Sequence, residues 1–135
     1  MTFQIMVHAY RKAGMSPGDF KKHYDSHVDL LKRIAGDVFP LSHKRMYVAR
    51  TSVDIAAEGA SSSNATTPAA VIVGEQSDFE FDAFVELTFH DEKAFLAFVE
   101  KCRGPEFGPQ VTADEELFLD RLAVVAIGEV SETTA

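Results

Sequence analysis

His23 and His27 stand four residues apart in "MSPGDFKKHYDSHVDLLKRIAG", residues 15–36, with Tyr24 between them. At about 100° per residue, Phe20, His23, Tyr24, His27, Leu30, Leu31 and Ile34 share one helical face. Lys21, Lys22, Asp25, Ser26, Asp29, Lys32 and Arg33 share the other. His27 falls near the middle of the apolar stripe. Burial disfavours the imidazole cation, so a ring held in an apolar cleft is a neutral base at physiological pH. A nearby carboxylate pulls the other way and holds the tautomer. His27 is therefore the candidate general base, set against the plainer reading of a core histidine bonded to a backbone carbonyl. Tyr24 is the candidate donor to a carbonyl or enolate oxygen, or else an aromatic packing residue. His23 lies nearer the edge of the stripe and either lines the pocket or faces solvent. Phe20 and Leu31 are candidate apolar walls.

A second set of candidates lies on "FDAFVELTF", residues 81–89, where Asp82, Phe84, Glu86 and Thr88 share one face. Acids on a central strand are costly unless paired or wet. Asp82 is therefore expected to orient His27 or to pair with Arg45 or Arg50, and Glu86 and Phe84 to contact substrate. His8, on the opposite side of its strand from Phe3, Ile5 and Val7, enters either the pocket or the open face of the sheet. His43 and His90, near strand ends, are expected to face solvent. The spacing of His23 and His27 also suits a metal, yet Tyr24 stands where an HExxH motif needs glutamate, and no third ligand is evident. With no glycine-rich phosphate loop, nucleophile elbow or cofactor fingerprint, the expectation is chemistry without metal or cofactor.

These residues need elements to position them. "FQIMVHAY", residues 3–10, alternates as a strand. Ser16 as N-cap and Pro17 at the first helical position open the histidine helix, and Gly36 stops it. "SHKRMYVAR", 42–50, reads as a second strand and 81–89 as a third. Asp91 caps a helix "EKAFLAFVEKC", ended by Gly104-Pro105. "EFGPQVTADEELFLD" reads as a loop plus a short helix, and "RLAVVAIGEV" as a last strand, apolar on both sides and so expected to be covered on both. Residues 53–78, rich in Ala, Ser and Thr, form an insertion, partly ordered through the docking of "AAVIV" at 69–73. The order β-α-β-β-α-β predicts an α+β, ferredoxin-like plan, a four-stranded antiparallel sheet with its helices on one face.

The 135 residues, 46% of them hydrophobic, suit one domain over 1–135 with a core of its own. A net charge of −8 without a cation cluster argues against nucleic acid and anionic membrane as partners. Cys102 is the single cysteine, which fits a reducing compartment. The start has no basic leader, and no run is long enough to span a bilayer, so a cytoplasmic location is expected.

"YRKAGMSPGDFKKHYDSHVDLLKRI" resembles the first half of EthD-domain proteins, where basic residues after a strand lead into a Ser-capped helix with a Phe…Tyr…His row. "FDAFVELTFHDEKAFLAF" and the later "ADEELFLD" resemble the family's second half, and Asp114 and Glu115 match its late acidic pair. The alternative is a helix N-cap at Thr112 or Asp114. The resemblance implies a homodimeric α+β barrel with a site between sheet and helices, and its histidine carries over to His27. It implies cofactor-free cyclases, dehydratases, decarboxylases and monooxygenases acting on polyketides, and the chain looks most like the fungal branch. It departs in "HVDLL", where members commonly carry a proline before the leucine, and in the insertion. The leading expectation is a lyase or cyclase acting on an aromatic polyketide. An anthrone-type monooxygenase and a non-catalytic binding module stay open.

Overall fold

A computed structural model describes residues 2–120 and 124–135. The elements are β1 (Phe3–Ala9), α1 (Pro17–Ala35), β2 (Ser42–Tyr47), β3 (Ala83–Phe89), α2 (Glu92–Arg103), α3 (Gly108–Glu115) and β4 (Val124–Gly128). Short 3-10 turns lie at Gly36–Val38 and Gln76–Phe79. The strands form one antiparallel sheet in the order β2-β3-β1-β4, the ferredoxin-like α+β arrangement expected from the element order.

The signals at the element ends are those in the sequence. Ser16 Oγ accepts the Asp19 N–H at 3.1 Å, Asp91 accepts that of Ala94 at 2.8 Å, and Gly36 ends α1 at φ 55°, where a side chain would be strained. On β1, Ile5, Val7 and Ala9 are buried, and on β3 so are Ala83, Val85, Leu87 and Phe89. These residues meet Phe20, Tyr24, Leu31 and Ile34 of α1 and Phe98 of α2 in one core. Each large apolar side chain buried there contributes roughly 1.5–3 kcal/mol before the entropy of ordering is deducted.

The ends of several elements differ from the expectation. β2 stops at Tyr47, because Arg50 leaves the sheet to bridge Ala69. The last strand is exposed on both faces, with Val124 58% exposed on the side of His8 and Val125 and Ile127 56% and 69% on the helix side, where Val125 only borders the cavity between sheet and helices. Residues 121–123 of the expected strand lie outside the described residues.

The insertion is held by a buried ionic cluster. Asp82 accepts from Arg11 Nε at 3.1 Å and from Arg50 Nε at 2.8 Å, and these side chains are at most 5% exposed. Arg11 reaches on to Asn64 Oδ1 at 2.6 Å, and Arg50 reaches the carbonyls of Thr67, Phe79 and Phe81. Asn64, in a glycosylation sequon by sequence, is thus a buried cluster member. Of "AAVIV" only Ala69 is buried; Ile72 and Val73 stand out in solvent, 98% and 84% exposed.

Candidate active site

His27, on the third turn of α1, is 3% exposed in its side chain, and its Nδ1–H donates to Asp114 Oδ2 at 2.6 Å. A carboxylate only accepts, so Nδ1 carries a proton, and in the neutral ring the lone pair is on Nε2. The nearest acidic atom to Nε2 is Glu115 Oε2, 4.0 Å away. The ring lines a cavity of about 250 Å³ between sheet and helices, with Tyr24, Leu31, Val85, Phe98 and His43 around it.

Asp114 closes the site from 87 residues further along the chain. It sits near the C-terminal end of α3 and so does not cap that helix; Phe107 is the residue before its first turn. The turn between α2 and α3 is tight enough to demand glycine. A Cβ on Gly104 would lie 2.5 Å from the Glu100 carbonyl oxygen, and one on Gly108 2.6 Å from that of Arg103. These two glycines therefore do more than punctuate a loop: they let α3 fold back to bring its acids to α1. His23 Nε2 reaches the other oxygen of Asp114 at 3.3 Å. Burial works against the Asp114 anion, but the hydrogen bonds from His27 and His23 outweigh it and hold the carboxyl below its ordinary range. The fully buried Phe118 ring fixes both imidazoles, stacking on His23 at 4.8 Å and packing on His27 at 5.1 Å.

Other sequence candidates fall elsewhere. Asp82 does not orient His27; it is committed to Arg11 and Arg50, because both guanidiniums reach it from the segments that follow β1 and β2. His8, Phe84 and Glu86 lie on the opposite face of the sheet, since Ile5, Val7, Val85 and Leu87 claim the helix side by strand alternation. His8 stacks on Phe81 there at 4.4 Å. Phe20 is 1% exposed in the core beneath Tyr24 and does not line the cavity. His23 stays at the rim, bonded to Asp114, so the i, i+4 histidines converge on a carboxylate. Among the described residues no three ligand-type side chains are grouped to hold a metal.

His43 was expected in solvent and is instead on the cavity wall. Its strand pairs it with Leu87, a helix-facing residue, and that register turns His43 inward. Only the register could have shown it, because "SHKRMY" alternates with Met46 on the other side and an apolar-inward reading would bury the methionine, which is 72% exposed.

The fold and these groups define a ferredoxin-like α+β domain with a carboxylate-held imidazole opening on an apolar cavity. The EthD domain family matches residues 12–122, and the chain belongs to that family. An EthD family protein of Bacillus halodurans superposes with a TM-score of 0.56 at 16% identity, covering 97% of this chain and all of that one. A protein of Arabidopsis thaliana gives 0.55 at 12% identity over 98% and 99% of the two chains. A dimeric ferredoxin-like protein of unknown function from Thermobifida fusca gives 0.52 at 12% identity over 96% and 92%. At these identities the likeness is one of fold. No curated protein matches the chain.

Proposed function

We propose that the protein is a cofactor-independent lyase or cyclase, of dehydratase or decarboxylase type, acting on an aromatic polyketide intermediate. The observation that carries the reading is the 2.6 Å bond from His27 to Asp114 in a ring that opens on an apolar cavity. His27 Nε2 takes a proton from carbon flanked by carbonyls, and the electron pair moves onto a carbonyl oxygen as an enolate. Asp114 stabilises the imidazolium that forms. The Tyr24 hydroxyl, which has no hydrogen-bond partner among the described residues, donates to the enolate oxygen. Burial pushes its pKa up, so it remains a donor at neutral pH. The enolate then expels a β-hydroxyl, which leaves as water with the proton returned by His27. For a β-keto acid the carboxylate leaves instead as carbon dioxide from the keto form, its bond pair generating the same enolate, which takes a proton at carbon from the His27 imidazolium. Leu31, Val85, Phe95 and Phe98 suit a flat apolar substrate, and the polyketide class is what the likeness in sequence to EthD-domain proteins implies. The test is proton exchange at the central carbon of 1-phenylbutane-1,3-dione in heavy water, followed by NMR. His27→Ala is expected to lose about 10²–10⁴ of the rate above buffer; an undiminished rate in the folded variant overturns the reading.

The same reading places two copies sheet to sheet in the cytosol. Met6, Met46 and Val124 are exposed on the open face, 39%, 72% and 58%, and a structure of similar fold is described as dimeric. No helix among the described residues is long and apolar enough to cross a membrane. Light scattering on Val124→Lys is expected to show monomer where the parent chain shows dimer; a monomeric parent refutes it.

A further inference from the structure

His43 and His27 carry their protons on opposite nitrogens, because opposite charges hold them. The His43 Nδ1 lies 3.0 Å from Arg45 Nη1. A guanidinium only donates, so Nδ1 must accept and the ring proton is confined to Nε2. Arg45 is itself fixed, with Nε on Asp25 Oδ1 at 3.0 Å, and Tyr47 braces the same oxygen at 2.7 Å. The His43 Nε2–H has no hydrogen-bond partner among the described residues, and it is not sealed in the core. His43 lines the same cavity as His27 and Tyr24, and its ring lies 6.1 Å from Tyr24, against 6.4 Å for His27. Burial, with help from Arg45, lowers its pKa to about 4, so the ring stays neutral and the tautomer is kept.

We propose that His43 is a further catalytic residue, a neutral imidazole whose Nε2–H binds the enolate oxygen together with the Tyr24 hydroxyl. The inference rests on His27 as the base. As His27 Nε2 takes the carbon-bound proton, the electron pair released runs to the oxygen between the two donors. One imidazole then accepts a proton while the other only donates a hydrogen bond. Asp25, Arg45 and Tyr47 act through His43 as positioning residues.

The tautomers are read directly by long-range 1H–15N correlation on labelled protein at pH 7.5. Protonation at Nε2 of His43 and at Nδ1 of His27 is expected; an Nδ1–H tautomer at His43 overturns the proposal, whether or not the diketone is turned over. Arg45→Met, which frees Nδ1, is expected to mix the His43 tautomers. The coloured anion p-nitrophenolate serves as the enolate mimic. His43→Ala is expected to weaken its binding at least tenfold and to lower diketone exchange about 10²–10³-fold, with partial recovery in His43→Gln, which keeps an N–H donor. Parental affinity and rate in His43→Ala refute the proposal, as does failure of the parent chain to bind the anion. His27→Ala is expected to lose exchange and keep p-nitrophenolate. If it keeps exchange, the base assignment falls, while the tautomer and the anion still decide the role of His43.

Discussion

Replacing Asp114 by Asn separates geometry from charge at the dyad. The amide oxygen can still accept the His27 Nδ1–H, and the amide N–H₂ can turn to His23, so both contacts survive in neutral form. What disappears is the negative charge 2.6 Å from an imidazole that becomes a cation during proton abstraction. At an effective dielectric of about 20, two unit charges about 4 Å apart attract by roughly 4 kcal/mol. Asp114 is one-quarter exposed, so solvent screens part of this, leaving about 3–4 kcal/mol. At about 1.4 kcal/mol per decade the rate should fall roughly 10²–10³-fold. His23→Phe is the control: its bond is longer, 3.3 Å, and more exposed, and a loss below about tenfold is expected. Diketone exchange above the buffer rate measures both. An Asp114→Asn protein with the parental rate and an intact fold would refute a carboxylate role in the chemistry. Equal losses in the two variants would mean that the carboxylate acts through the helix contact alone.

Asp82→Ala should strike stability, since it strands the buried Arg11 and Arg50 guanidiniums; a loss of about 3–5 kcal/mol is expected in urea titration, and a loss below 1 kcal/mol would contradict the cluster's role. The lowered His43 pKa makes the unfolded chain bind the extra proton between pH 6.5 and about 4. Its contribution is therefore fully present above 6.5 and declines as pH falls toward 4, by about 2–3 kcal/mol. His43→Gln should flatten that limb of the stability–pH curve, and an unchanged slope would contradict it. The lowered Asp114 carboxyl acts at more acid pH: its stabilisation is present above about 4, the unfolded value, and is lost as pH falls through the folded one, so Asp114→Asn should blunt acid unfolding below pH 4.

Periodicity along the chain was enough to predict the elements. Alternation and a 3.6-residue stripe are one-dimensional signals, and Ser16, Asp91 and Gly36 act within a few residues of where they stand. The same stripe put Tyr24, His27 and Leu31 on the buried side of α1, where they line the cavity. Partners across the fold were another matter. Asp82 could be read as orienting His27 or as pairing with Arg45 or Arg50; it takes Arg50, together with Arg11, which no local pattern pointed to. Asp114 could be named by its place in a family pattern, and only the fold-back at Gly104 and Gly108 put it on His27.

By itself, then, the order of residues determined the strands, the helices, their caps and the inward face of α1, because each depends on neighbours a few positions apart. The tertiary structure decided which carboxylate holds His27 and which side of β2 faces the cavity. Both are set by strand register and helix packing between segments far apart in the chain, where a shift of one residue in β2 would turn His43 out to solvent.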